Sequence, residues 1–181
     1  MKIVVTQFIT LDGVVESPQD WSFPYWSDET GKFKFDELLG TDVQLLGRVT
    51  YEGFASAWPT MERDAAGFAD KMNSMPKYVV STTLKKAEWN NSTIIKSNVV
   101  EEVSGLKKQS GGDILVAGSM TLIRTLMDHD LVDEYRLLTY PIVLGKGKRL
   151  FTDGMAAALK LTESKPMGSG VVLLRYEPDR K

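Results

Sequence analysis

Apolar residues in this chain fall into short runs separated by stretches of helical spacing, and the two alternate up to about residue 128. Residues 3–9 predict a first strand, followed by a turn at Asp12-Gly13. A helix over residues 28–39 leads to a second apolar run, 43–46, which stops at Gly47. Further helices are predicted over residues 50–57 and 64–75. Residues 76–83 read as a short strand ending in three hydroxyl residues, and Ile94-Ile95 as another. Val99, Val100, Val103 and Leu106 share one helical face, and the apolar strand 114–117 stops at Gly118-Ser119. The helix that follows places Leu122, Ile123, Leu126 and Met127 on its inner side. Strands alternating with helices predict an α/β domain with parallel strands, whose ligands gather outside the strand C-termini.

The last third differs. Residues 131–140, 161–164 and 171–176 have strand character with no helix between them, which predicts an antiparallel C-terminal edge. The expectation is one domain over residues 1–181, a three-layer α/β/α arrangement around a mixed, mostly parallel sheet. With 43% hydrophobic and 25% charged residues, 181 residues suffice to bury a core.

Candidate chemistry sits at the strand ends. Gly47 lets backbone approach a ligand, a helix start beside it offers unpaired N–H groups, and Arg48 can fork onto phosphate oxygens. The same residues also fit a plain strand-turn-helix with a surface arginine and a capping threonine at Thr50. Ser81-Thr82 and Gly118-Ser119 repeat the pattern after later strands. If those strands are neighbours, the three turns form a row of donors suited to an extended ligand with several phosphates, such as a dinucleotide.

Composition narrows the classes. A formal net charge of −2 argues against a nucleic-acid surface, and the absence of cysteine removes disulfides, thiol catalysis and thiolate-bound zinc. His129 is the single histidine, placed as a helix C-terminal residue, so no metal site is expected. No signal-peptide pattern opens the chain and no apolar run approaches the roughly 20 residues of a membrane span. A cytoplasmic protein acting on a small molecule is expected. The aromatics Trp21, Phe23, Tyr25 and Trp26 lie between turn formers, either covering a core or walling a substrate cleft. The glycine and cation cluster over residues 141–151 is an exposed basic loop or a phosphate contact. Asp12 is either an Asp-Gly turn residue or a group for substrate and proton work at a strand end.

Across nearly the whole chain these residues resemble the dihydrofolate reductase superfamily, and within it the C-terminal reductase domain of riboflavin biosynthesis. The resemblance is carried by Thr10-Leu11-Asp12-Gly13-Val14, Leu46-Gly47-Arg48-Val49-Thr50-Tyr51-Glu52, Val79-Val80-Ser81-Thr82, Ala117-Gly118-Ser119-Met120-Thr121-Leu122, and Asp133-Glu134-Tyr135 leading to Pro141-Ile142-Val143-Leu144-Gly145-Lys146-Gly147. It implies NADPH as cofactor, with Arg48 at the adenosine 2′-phosphate or its neighbours, Thr50 at the pyrophosphate and Ser81 and Thr82 on the adenosine side. Gly118, Ser119, Met120 and Thr121 would pass under the pyrophosphate. A Gly-Gly pair common in the family is Ala117-Gly118 here, which places a cis bond at that pair in question.

The folate half of the resemblance is poor. Phe35 falls at a substrate-side aromatic, but the helix carboxylate position falls on Gly31 and the folate-binding arginine near Met75. The implied activity is hydride transfer from NADPH to a small heterocyclic or carbonyl substrate, as in 5-amino-6-(5-phosphoribosylamino)uracil reductase. Lys146, Lys148, Arg149, Lys32 and Lys34 are candidate cations for a substrate phosphate. The alternatives are a nucleotide-binding module of the same fold without turnover and a divergent dihydrofolate reductase. Relatives that pair imply a homodimer.

Overall fold

The computed structural model describes residues 1–61 and 67–180. Eight strands, β1 (Ile3–Thr10), β2 (Thr41–Gly47), β3 (Lys77–Val80), β4 (Ser92–Ile95), β5 (Asp113–Val116), β6 (Glu134–Tyr140), β7 (Leu159–Met167) and β8 (Val171–Pro178), form a mixed sheet. Their order is β4-β3-β2-β5-β1-β6-β8-β7. Among the described residues five α-helices accompany them: α1 (Asp28–Leu39), α2 (Arg48–Ala57), α3 (Phe68–Ser74), α4 (Val99–Lys107) and α5 (Met120–Asp128). The three-layer α/β expectation holds. None of the described helices is long and apolar enough to cross a membrane.

By contacts the chain divides into two compact units, Met1–Val4 with Phe35–Val132, and Val5–Lys34 with Asp133–Lys181. In the first, β2 pairs parallel with β3 and β5, and β3 pairs parallel with β4. Parallel strands are buried on both faces, and β2 is buried at every position but Asp42, the polar Thr41 and Gln44 included. Leu38, Leu46, Tyr51, Met72, Met75, Val79 and Trp89 make one core there. Helix α5 buries Leu122, Ile123 and Leu126, as the spacing predicts. Helix α3 begins at Phe68, within the 64–75 prediction; positions 64–66 lie outside the described residues.

In the second unit β8 pairs antiparallel with both β6 and β7. Its core gathers Trp21, Phe33, Leu138, Tyr140, Met167, Val171 and Leu173. Strand β7 is longer than its apolar residues suggest, because it ends the strand order and most of its side chains are exposed. A strand at an edge has no buried face to write an apolar pattern into the sequence.

Candidate functional site

Strands β3, β2 and β5 are parallel neighbours, so their C-terminal turns lie side by side. The register aligns Gly47 with Val80, and the Gly47 N–H donates to the Gly118 carbonyl at 2.9 Å. The structure thus brings together Gly47-Arg48-Val49-Thr50, Ser81-Thr82 and Gly118-Ser119, and so meets the condition of neighbouring strands that the sequence left open. Two of these turns interlock. A Cβ on Gly47 would lie 2.8 Å from both the Ser119 backbone nitrogen and its Cβ. One on Gly118, whose φ is +144°, would lie 2.6 Å from Thr50 Oγ1. Both glycines are therefore demanded by turn-on-turn packing, which presses the starts of α2 and α5 together. The cis peptide is Gly118–Ser119, one bond later than the pair singled out in the sequence.

Helix α2 opens at Arg48, two residues before the predicted start, with Gly47 as its N-cap and no side-chain cap. Thr50 is consequently a first-turn residue held against Gly118, and it does not cap the helix. Neither α2 nor α5 has an acidic residue in its first turn, whereas α1, α3 and α4 each do. Two adjacent helix starts therefore keep unanswered N–H groups and positive dipole ends, a setting that favours an anion. Ser119 offers α5 only a long cap, its Oγ accepting from Leu122 N at 3.4 Å. Met120 opens that helix half-buried, and Thr121 beside it is exposed. Arg48 sits at the first position of α2, where a helix dipole disfavours a cation, and its Nη1 reaches both Glu52 carboxylate oxygens at 3.0 Å.

Strand β3 ends at Val80, before its hydroxyl residues. The buried Ser81 Oγ accepts from Thr83 N at 3.2 Å and Leu84 N at 2.9 Å, closing a local turn. Ser81 thus shapes the turn, and Thr82 and Thr83 after it are exposed. The Ser81 N–H donates to Ile95 O at 3.0 Å, which sets a fourth strand end, Lys96-Ser97, beside it. Sequence reasoning passed over that end, although Ile94-Ile95-Lys96-Ser97 carries the same strand-then-polar signal.

In the second unit Asp12 is a hub. Its Oδ1 accepts from Thr10 Oγ1 at 2.6 Å and Leu144 N at 3.2 Å, and its Oδ2 from Gly145 N at 2.8 Å. Arg149 Nε donates to the Asp12 carbonyl at 2.8 Å, and Arg149 Nη2 stands 3.7 Å from Oδ2. The Thr10 hydroxyl, then the backbone donors of Gly145 and Leu144, hold the carboxyl down at about 2 despite partial burial. A group that ionised carries no proton to deliver at neutral pH. The geometry supports the turn-anchoring reading of Asp12 and speaks against a proton donor.

The aromatic stretch divides likewise. Trp21 is only 7% exposed, its indole N–H donates to Glu16 O at 2.9 Å, and its ring meets Tyr140 edge-on. Of the two roles the sequence leaves open, covering a core and walling a cleft, Trp21 takes the first. Phe23 and Trp26 are the members that present ring surface. The Trp26 indole also covers Gly31, whose added Cβ would lie 3.5 Å from Nε1. Phe35, in the first unit, is half-buried with its ring 6.4 Å from that of Phe68. In the basic loop, Lys148 pairs with Glu16 at 3.3 Å and Arg149 is held by Asp12, whereas Lys146 is an exposed cation outside these two pairs. His129 is the C-cap of α5, its Nδ1 2.9 Å from Thr125 O, in line with the helix C-terminal expectation.

The sequence profile of the RibD C-terminal domain matches residues 1–173. The chain belongs to this family. A relative, the uncharacterized protein YyaP of Bacillus subtilis, is 35% identical over 181 residues, covering 97% of this chain and 94% of YyaP. Among solved structures, a protein named for riboflavin biosynthesis from Shewanella sp. PV-4 superposes with a TM-score of 0.77 at 20% identity, covering 99% of this chain and all of the other. Dihydrofolate reductase from Enterococcus faecalis, complexed with NADP(H), superposes with a TM-score of 0.61 at 14% identity over 99% of this chain and 97% of its own. The RibD C-terminal fold and the dihydrofolate reductase fold are thus the same architecture, as the motif resemblance implies.

Proposed function

We propose that this RibD C-terminal protein is an NADPH-dependent reductase that passes hydride to a small heterocyclic or carbonyl substrate, of the 5-amino-6-(5-phosphoribosylamino)uracil reductase type. The observation that carries this reading is the junction of α2 and α5, where two uncompensated helix starts meet beside Arg48. Such a junction suits a pyrophosphate, and a forked guanidinium alongside suits a further phosphate. Family membership and a fold shared with a reductase complexed with NADP(H) agree with it.

Bound NADPH would supply the hydride, and the chain's residues would hold and orient it. Backbone N–H groups at Arg48, Val49 and Thr50 and at Met120 and Thr121 would receive the pyrophosphate, with the Thr50 and Thr121 hydroxyls as side-chain donors. Arg48 would meet the 2′-phosphate, Thr82 the adenosine side, and Gly47, Gly118, Ser81 and Ser119 would fix the shape of the cradle. Rate would come from orientation, with the proton drawn from solvent, since Asp12 is an anion that anchors the 144–149 loop. Folate reduction is disfavoured: Gly31 lies under Trp26, and Met75 is buried in the core.

A second reading, a nucleotide-binding module without turnover, is favoured by one observation, the lack of a protonatable carboxyl at Gly31 or Asp12. Incubation with NADPH and a panel of pyrimidine and carbonyl compounds, followed by loss of reduced-nicotinamide absorbance, separates the two. Oxidation with any of them supports the reductase, binding without oxidation supports the module, and no binding of NADPH overturns both.

A further inference from the structure

We infer that Glu52 tempers the cofactor preference of this site, by holding Arg48 Nη1 until a phosphate displaces it. The inference rests on the proposed NADPH site and adds a residue to it. Glu52 belongs to none of the turns that form the cradle, yet both its oxygens stand 3.0 Å from Arg48 Nη1. A carboxylate so placed engages one guanidinium nitrogen with the charge that a phosphate would bring.

Three features make the pair displaceable. Both side chains are nearly half exposed, at 45% and 46%, so water and salt weaken their attraction. The arginine precedes the glutamate by four residues, the weaker order for such a pair on a helix. Arg48 is also at the first position of α2, where the dipole opposes its charge, so the helix itself gives no reason to keep a cation there. An incoming 2′-phosphate would take over the guanidinium and meet Glu52 as a like charge. A dinucleotide without that phosphate would leave the pair intact. Glu52 therefore penalises NADPH selectively and NADH hardly at all, which keeps the phosphate preference below the value Arg48 alone would give.

The test is calorimetric or fluorescence titration of wild type, Glu52→Gln, Arg48→Ala and the double variant with NADPH and with NADH. Glutamine keeps the shape and helix propensity and removes the charge. The expected result is about two- to fivefold tighter NADPH binding in Glu52→Gln, the size of an exposed ion pair, with NADH shifted by less. In the Arg48→Ala background the Glu52→Gln change should leave the NADPH to NADH ratio where it was. An unchanged ratio in Glu52→Gln, or the same shift with and without Arg48, overturns the inference while wild-type NADPH binding still stands. Wild type that binds neither dinucleotide overturns the site and the inference together.

Discussion

One methyl group is enough to part the two helix starts. At Gly118 a Cβ meets Thr50 Oγ1 at 2.6 Å in a backbone conformation, φ +144°, that L side chains rarely adopt. Gly118→Ala should cost about 1–3 kcal/mol of stability through strain and crowding. Urea unfolding would read that loss, and NADPH affinity should fall with it as α2 and α5 separate. Asp12 is a second residue with a calculable signature. Its folded-state pKa is depressed from an ordinary value of 3.8 to about 2, so its ionised form stabilises the fold above about pH 4, and that contribution disappears as pH falls through 2. Asp12→Asn should lower the melting temperature at neutral pH, with the gap to wild type closing between pH 4 and pH 2; a gap independent of pH would remove the carboxylate from its anchoring role. Neither outcome was legible beforehand. Asp12-Gly13 looks like any turn, because the donors that define it, Leu144 and Gly145, come from more than 130 residues away in sequence. Trp21 and Trp26 are equally alike on paper, and only tertiary packing makes one core and the other surface.

Among the elements, β3 depends on a residue that periodicity does not single out. Lys77 opens the strand with no exposed surface, and its ammonium donates to the carbonyls of Asn73, Met75 and Asn90 at 3.0, 2.8 and 3.0 Å. The same ammonium lies 4.1 Å from the Trp89 ring centroid. Burial pushes its pKa down to about 8, still high enough for the charged form to dominate at neutral pH. All three donors are satisfied, so the lysine ties α3 and the segment before β4 to β3. Lys77→Met fills the stem but takes a charged donor from three carbonyls, of which Asn73 O keeps only a long bond from Asn90 Nδ2, and it should cost about 3 kcal/mol in chemical denaturation. A loss below about 1 kcal/mol would show that water replaces the ammonium there. Element ends were read less well than elements. Helix α2 starts two residues early because Gly47 can act as N-cap, and β3 stops early because the Ser81 side chain closes the turn onto Thr83 and Leu84. Local hydrogen bonding decides such ends, and hydrophobic spacing is blind to it.

At the scale of the whole molecule, strand-helix alternation announced the parallel half, since every parallel connection needs a crossover. The change of pattern after Leu131 announced the antiparallel part for the complementary reason. Adjacency of β3, β2 and β5 was only conditional in the sequence; with it, three weak turn signals become one cradle in the first unit. The substrate is less legible, because beside Lys32, Lys34 and Phe35 on α1 its candidate residues belong to loops whose contacts are long-range: the aromatics before α1 and the segment tied to Asp12. Titration of wild type and Arg48→Ala with NADPH and NADH, followed by tryptophan fluorescence, tests the cofactor cradle most directly. Wild type should bind NADPH more tightly than NADH, and Arg48→Ala should weaken NADPH about 10- to 100-fold, the range of a charge-assisted hydrogen-bonded pair, while leaving NADH nearly unchanged. Failure of wild type to bind either dinucleotide, or an Arg48→Ala variant with the wild-type preference, would contradict it.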